Sequence, residues 1–110
     1  MSHLILDLAN IKHKDLLNNQ YKIEYLLKQI CQSLKYTILH QYTHTFQPQG
    51  LTMFFCLAES HISIHTYPEH DKAYFDLYTC RDGDDLLFIK NRIQDAFDCT
   101  FSRCYLLQRS

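Results

Sequence analysis

The residues best suited to chemistry lie between Glu59 and His65, where one glutamate, two serines and two histidines fall within seven positions. A serine hydroxyl that attacks the carbonyl of the preceding residue, here Glu59, replaces the amide by an ester. If a base then removes the Cα proton, the ester leaves by β-elimination and the remaining dehydroalanine hydrolyses to a pyruvoyl group. The pattern therefore fits backbone self-cleavage between Glu59 and Ser60. It also fits ordinary strand or turn positions, because Ser-His neighbours are common.

Self-cleavage needs a strained peptide and a nearby base. His65 is the natural candidate, since imidazole titrates near neutral pH. However, a regular strand would separate Ser60 from His65 by roughly 16 Å and place them on opposite faces. We therefore expect a bend at the cleavage point, so that the motif is not one regular strand, or delivery of His65 from elsewhere around an interface.

A metal site is the second chemistry that these residues suggest. His61 and His65 have even spacing and share one face of a strand, and with His44 or His70 they could bind zinc. Nothing supplies a third or fourth ligand at a recognisable spacing, so we predict no metal.

Composition restricts the class of protein. The 110 residues fit one small domain, and 11 Lys and Arg balance 12 Asp and Glu, which argues against binding to nucleic acid or an anionic membrane. We expect no signal peptide and no membrane-spanning apolar run. The five cysteines form no CxxC pair, and their odd number favours a cytoplasmic chain with reduced thiols.

Periodicity predicts the elements that must position the motif. Alternation indicates strands over 3–8, 36–46, 51–58, 61–67, 72–80 and about 100–107. In the second strand, it places Ile38, His40, Tyr42 and His44 on one face. Helical spacing predicts one amphipathic helix over about 15–34 and a second that begins after Asp85. The acidic residues Asp76, Asp82, Asp84 and Asp85 could attract a polyamine, but we expect them to be solvated, with 82–85 forming the turn before that helix.

The element order β-α-β-β-β-β-α-β predicts an α+β fold. Consecutive hairpins favour a mostly antiparallel sheet with both helices on one face, a two-layer α/β sandwich. The second face of the central strands is too apolar and aromatic to meet only water. We therefore expect a homodimer packed through that face.

Three sequence blocks add a family resemblance. They are Phe46-x-Pro-x-Gly50-x-Thr52, the stretch from Leu57 to Glu69, and Asp76-x-Tyr-Thr-Cys80, in that order. With the opening His3-Leu-Ile-Leu-Asp7-Leu, they resemble the prokaryotic type of S-adenosylmethionine decarboxylase proenzyme over nearly the whole chain. One departure is Arg81, which follows Cys80 where that family commonly has glycine.

The resemblance implies that Ser60 becomes the pyruvoyl cofactor. Glu59 would then end a β chain of residues 1–59, and the α chain would be residues 60–110. His65 matches the histidine that acts in processing, and Ser63 and Thr52 lie in the same neighbourhood as supporting residues.

The resemblance also implies the substrate residues. Cys80 matches the cysteine that protonates the product carbon, Phe46 the aromatic residue that stacks on adenine, and Glu69 the carboxylate near the ribose. The implied reaction converts S-adenosylmethionine to the aminopropyl donor of spermidine and polyamine synthesis. Alternatives are a pyruvoyl-dependent decarboxylase of ornithine or arginine, and a non-catalytic regulatory relative.

Overall fold

The computed structural model describes residues 1–109. Within that range six strands form one sheet: β1 (Ser2–Ile11), β2 (Ile38–Thr45), β3 (Leu51–Leu57), β4 (Ser60–Tyr67), β5 (Lys72–Thr79) and β6 (Cys99–Gln108). Three α-helices accompany them, α1 (Lys14–Leu17), α2 (Gln20–Ser33) and α3 (Leu86–Phe97), and Pro68–His70 forms a short 3-10 helix.

The sheet has the order β2-β3-β4-β5-β1-β6, and each neighbouring pair is antiparallel. Strands β2 to β5 follow one another as hairpins, which the short turns between them favour. Strand β1 lies between β5 and β6. The predicted antiparallel α+β sandwich is confirmed.

The core lies between the helices and one face of the sheet. Alternate residues of the strands point to this face and pack with the apolar side of each helix, as the period of two in a strand requires. Fully buried side chains in this core include Leu6, Leu27, Phe55, Ile64, Phe75 and Phe97. Both predicted helical regions thus cover the same face.

The region predicted as one helix over 15–34 is instead two helices. The break falls at Asn18 and Asn19, where the Asn19 side-chain oxygen accepts a hydrogen bond from the Lys22 backbone N–H at 3.1 Å and caps α2. Asparagine favours such a cap over a helix interior. Asp85 caps α3 in the same way, through the Phe88 N–H at 3.1 Å.

Strand β2 departs from the predicted alternation. The pairing with β3 shifts between Ile38, which pairs with Leu57, and His40, which pairs with Cys56. Because this bulge changes the facing of one residue, Ile38 packs against the core while His40 lies on the opposite face. The prediction that both share one face was wrong.

The other side of the sheet, the open face, has no helix over it among the described residues. It is formed by the outward residues of β1 and β3 to β5, including His3, Phe54, His61, Asp76 and Tyr78. Half-exposed aromatic side chains lie on it, such as Phe54 and Tyr74. No helix within residues 1–109 is long and apolar enough to cross a bilayer.

Candidate active site

The peptide between Glu59 and Ser60 lies in the tight turn that joins β3 to β4. Glu59 has a φ of 66°, in the left-handed region that side chains other than glycine seldom adopt. Its carbonyl oxygen accepts a hydrogen bond from the Cys80 backbone N–H at 3.2 Å, and the neighbouring Ala58 N–H donates to the Thr37 carbonyl at 3.0 Å. The turn is therefore held from both sides while Glu59 is in a costly conformation.

Ser60 is the first residue of β4, and its side chain points to the helix-covered face. It is 8% exposed, and its hydroxyl lies 3.4 Å from that of Thr79, its cross-strand partner. Thr79 in turn lies 2.7 Å from the Tyr36 hydroxyl, which lies 2.5 Å from an Asp84 carboxylate oxygen. Burial, followed by the hydrogen bond to Asp84, raises the pKa of Tyr36, so its phenol keeps its proton at neutral pH.

Arg81 contacts both Tyr36 and Asp84, the two residues of this network that lie farthest from Ser60. Its guanidinium lies 3.8 Å from the centre of the Tyr36 ring, 3.2 Å from Asp84 and 2.5 Å from the Leu34 carbonyl at the end of α2. Asp84 is therefore a paired and largely buried carboxylate, with a side chain 15% exposed. The prediction that it belongs to a solvated turn was wrong, because Tyr36 and Arg81 draw it inward.

Cys80 contributes to this region in two directions. Its backbone N–H reaches Glu59, whereas its thiol lies 3.8 Å from the Tyr78 hydroxyl. Since Tyr78 lies on the open face, the thiol is on that side too, opposite to the Ser60 side chain. The hydrogen bond with Cys80 raises the pKa of Tyr78.

A row of polar side chains crosses the open face around Asp76. One Asp76 oxygen lies 2.7 Å from His3 Nε2 and 3.1 Å from His61 Nε2, and the Ser63 hydroxyl donates to the other. Burial opposes ionisation of Asp76, but these three hydrogen bonds outweigh it and lower its pKa. Asp76 is thus an anion that three neighbours share.

The row includes three residues of types that bind metals. Potential ligand atoms of His3, His61 and Asp76 lie within 4.8 Å of one another. Both imidazoles are already at hydrogen-bond distance from the same carboxylate oxygen, so the cluster is satisfied without an ion. His65, the partner considered for His61, is instead bonded through Nδ1 to the Thr52 hydroxyl at 2.8 Å.

A cleft of about 420 Å³ lies at the end of the sheet where β2, β3 and β4 meet the 3-10 helix. Phe46 and Glu69 line it together with Thr52, His65 and Tyr67. Phe46 is 49% exposed as a residue, and its ring packs edge-on against His44, with ring centres 4.7 Å apart. The cleft thus combines an accessible aromatic face, a carboxylate and an imidazole.

The structure divides the residues predicted from the sequence into two groups. Ser60 and the Cys80 backbone lie at the start of β4, whereas His65 lies near its other end, on the opposite face. The chain does turn sharply at Glu59, but Ser60–Tyr67 forms one regular strand, so the expectation that the motif cannot be a single strand was wrong. Within one chain, His65 does not contact Ser60.

Sequence reasoning missed the residues that surround Ser60. Tyr36, Thr79 and Asp84 come from three different segments, and neither helical nor strand periodicity connects them. The one available signal was Thr79, which precedes Cys80 in a strand expected to pair with the motif. The expectation that Asp76 is solvated was wrong, because it lies in β5 and is partly buried by its hydrogen-bond partners. Its cluster with His3 depends on β1 pairing with β5.

Comparison with known proteins decides the family. The family model of S-adenosylmethionine decarboxylase matches residues 2–110. This chain belongs to the S-adenosylmethionine decarboxylase family. The resemblance drawn from the three sequence blocks is therefore confirmed.

Relatives and a solved structure agree with membership of the S-adenosylmethionine decarboxylase family. The chain is 45% identical over 78 residues to an S-adenosylmethionine decarboxylase proenzyme of Methanococcus aeolicus and 40% identical over 78 residues to one of Clostridium botulinum. Each match covers 71% of this chain and 66% of the relative, which is just under two thirds of its length. The crystal structure of the adenosylmethionine decarboxylase from Aquifex aeolicus superposes with a TM-score of 0.88 at 29% identity, covering 99% of this chain and 89% of that one.

Proposed function

We propose that this chain is a self-processing, pyruvoyl-dependent decarboxylase that converts S-adenosylmethionine to the aminopropyl donor of spermidine and polyamine synthesis. The observation that carries the proposal is the Glu59–Ser60 peptide. It follows a left-handed residue, its carbonyl accepts an N–H from Cys80, and the adjacent hydroxyl is buried. Strain and a polarised carbonyl both favour attack by Ser60.

Cleavage of the single domain 1–110 would give a β chain of residues 1–59 and an α chain of residues 60–110, of which Ser110 lies outside the described residues. The cut falls in a turn, so no strand is broken. Strand β1 of the first piece pairs with β5 and β6 of the second, and β3 pairs with β4. The two pieces would therefore stay together after cleavage.

The surroundings of Ser60 fit a covalent pyruvoyl group made from that residue. The hydroxyl of Thr79 contacts the Ser60 hydroxyl, and the Cys80 backbone N–H contacts the Glu59 carbonyl that this hydroxyl would attack. A pyruvoyl group supplies a ketone that condenses with a substrate amine and accepts the electrons released with CO2. The chain itself must then bind the rest of the substrate and deliver one proton.

Cys80 is proposed as the proton donor, since a thiol can protonate a carbanion when it is held in place. Its contact with Tyr78 supports a fixed position. In the cleft, the exposed face of Phe46 suits stacking on adenine, and the Glu69 carboxylate suits the ribose hydroxyls. The cationic sulfonium would be favoured by aromatic walls such as Phe46 and Tyr67.

A homodimer is part of the same proposal. His65 and Ser60 are too far apart to react within one chain, and the open face carries exposed aromatic side chains. Packing two open faces together would bury these side chains and bring His65 of one chain towards the Glu59–Ser60 backbone of the other. The need for a free thiol at Cys80 supports a reducing, cytoplasmic location.

Intact mass under denaturing conditions tests the self-cleavage. We expect two chains, residues 1–59 and 60–110, the second with a blocked amino terminus, and no cleavage in Ser60→Ala. Ser33→Ala, a change at the exposed last residue of α2, should cleave normally. A single uncut wild-type chain would contradict the proposal.

The substrate is tested by release of labelled CO2. We expect release from S-adenosylmethionine and none from ornithine or arginine, which the family comparison does not favour. Retention of Ser60, His65 and Cys80 argues against a non-catalytic regulator. Cys80→Ala should still cleave but turn over poorly, and full activity in that variant would remove Cys80 as the proton donor.

A further inference from the structure

The Ser60 hydroxyl is the first member of a hydrogen-bonded series of four side chains. The oxygen atoms of Ser60 and Thr79 are 3.4 Å apart, those of Thr79 and Tyr36 are 2.7 Å apart, and those of Tyr36 and Asp84 are 2.5 Å apart. Thr79 is 1% exposed and Tyr36 is 8% exposed, so water is largely excluded from the middle of this hydrogen-bonded series.

The direction of these hydrogen bonds follows from counting protons. Each hydroxyl has one proton to donate, and an ionised carboxylate has none. The 2.5 Å contact is typical of a hydroxyl that donates to a carboxylate, so the Tyr36 proton points to Asp84. The contact between Tyr36 and Thr79 is then made by the Thr79 proton, and Thr79 accepts from Ser60. All three hydroxyl protons therefore point towards Asp84.

Two further contacts lie at the two ends of this hydrogen-bonded series. Arg81 pairs with Asp84 at 3.2 Å, which fixes the position of the carboxylate. At the other end, the Cys80 N–H lies 3.2 Å from the Glu59 carbonyl oxygen, the one that gains negative charge when Ser60 attacks. A proton acceptor, Asp84, and a hydrogen-bond donor to the oxyanion, the Cys80 N–H, thus lie on either side of the reacting atoms.

We propose that Thr79, Tyr36 and Asp84 form a proton relay that activates Ser60 for self-cleavage. This inference rests on the proposed function and concerns its first step. Thr79 touches the reacting hydroxyl, whereas Tyr36, Asp84 and Arg81 act through it as positioning residues. The relay is complete within one chain, unlike the contact that His65 would make.

The step balances as follows. Ser60 Oγ forms a bond to the Glu59 carbonyl carbon as its proton passes to Thr79, the Thr79 proton to Tyr36 and the Tyr36 proton to Asp84. The carbonyl oxygen takes the electron pair and is held by the Cys80 N–H. The bond from that carbon to the Ser60 nitrogen then breaks, and the nitrogen takes a proton back along the relay. The products are an ester, a free amine and an ionised Asp84.

The ester intermediate makes it possible to distinguish a defect in ester formation from a defect in the later β-elimination. Hydroxylamine cuts an ester readily and an amide hardly at all. A variant that stalls after ester formation is therefore cut by hydroxylamine, and a variant that cannot form the ester is not. His65, as the base proposed for the Cα proton, belongs to the later stage.

The experiment follows cleavage of freshly synthesised chains by intact mass, with and without hydroxylamine. We expect Tyr36→Phe to slow cleavage about 100-fold, the scale of a lost acid-base contribution, and hydroxylamine not to restore it. Asp84→Asn should behave alike. His65→Ala should stay uncut but be cut by hydroxylamine. Tyr21→Phe, an exposed tyrosine on α2, should match the wild type.

Thr79 offers a conservative pair. Thr79→Val keeps the shape but loses the hydroxyl, whereas Thr79→Ser keeps it, so only the first should stall. Circular dichroism confirms that each variant is folded, and a purely structural role would not separate the two. The relay is overturned if Tyr36→Phe cleaves at the wild-type rate, or if hydroxylamine cuts it as readily as His65→Ala. An uncut wild type would overturn the proposed function, and the relay with it.

Discussion

Ser60 and His65 belong to one strand, but the two regions around them differ in burial and in completeness. Ser60 is enclosed by Thr79 and Tyr36 on the helix-covered face, and its partners all come from the same chain. His65 is bonded to Thr52 on the open face, beside a cleft that is accessible to solvent. Because successive side chains of a strand point to opposite faces of the sheet, a single strand contributes residues to both regions. We infer that residues of the same chain are sufficient for ester formation at Ser60, whereas the later removal of the Cα proton needs His65 from a partner chain.

The strongest way to break this comparison is to mix two inactive variants. Ser60→Ala cannot be cleaved and His65→Ala lacks the base, so neither should process alone. If His65 serves Ser60 of a partner chain, co-expression should restore cleavage of the His65→Ala chain. Random pairing of equal amounts places about half of those chains with a Ser60→Ala partner, so about half should be cut.

The readout is intact mass, which distinguishes the two variants by their substitutions. The control replaces the Ser60→Ala chain with one that carries both Ser33→Ala and His65→Ala, because none of the resulting pairs contains His65. Absence of any recovery in the mixture, with mixed dimers present, would show that His65 does not act across an interface.

The sequence allowed the elements to be predicted because they depend on local periodicity. The strands, α3 and the antiparallel order follow from alternation and from turns such as Gln47 to Gly50. The break at Asn19 and the bulge after Ile38 were missed, since each depends on a cap or a pairing shift that alternation does not encode.

The candidate site was predictable only where its residues form a motif. Ser60, His65 and Cys80 carry a recognisable pattern, whereas Tyr36 and Asp84 are 48 positions apart and meet only in the folded chain. Arg81 looked like a departure near the substrate. In the structure it reaches Asp84 and the Leu34 carbonyl instead, away from the cleft.

The open-face row offers a second test, through Asp76. Asp76→Asn keeps the size of the side chain but removes the anion that His3, His61 and Ser63 share. We expect the free energy of unfolding at neutral pH to fall by about 1.5–3 kcal/mol, the range for hydrogen bonds to a charged group. Urea unfolding in the uncut Ser60→Ala background measures it, with the exposed Asp95→Asn as the control.

The same variant has a defined pH dependence. Because the folded pKa of Asp76 lies below its ordinary 3.8, its contribution is fully present above that value and is lost as pH falls towards the folded pKa. The difference in stability between the Asp76→Asn variant and its parent should therefore shrink below about pH 3.8. A difference that stays constant through this range would show that the charge of Asp76 does not stabilise the open-face row.

A third test compares two glycines, one at the cleft and one remote from it. Both have left-handed backbones, with φ of 94° at Gly50 and 88° at Gly83. A Cβ on Gly50 would lie 2.9 Å from the Thr66 carbonyl oxygen, whereas nothing lies within 4 Å of one on Gly83. Gly83→Ala should therefore cost about 1 kcal/mol of backbone strain. Gly50→Ala should cost about 2–3 kcal/mol, since the backbone contact adds to that strain.

Urea unfolding of both variants in the Ser60→Ala background gives the two free energies. Gly50→Ala in an otherwise intact chain should also raise KM, because the displaced Thr66 lies next to His65 in the cleft wall. Cleavage at Ser60 should continue, since the region around Ser60 does not depend on the turn at Gly50. Equal losses of stability would show that the cleft adapts to the extra methyl group. Loss of cleavage in Gly50→Ala would show instead that the two regions are coupled through β4, and that the comparison drawn between them is too sharp.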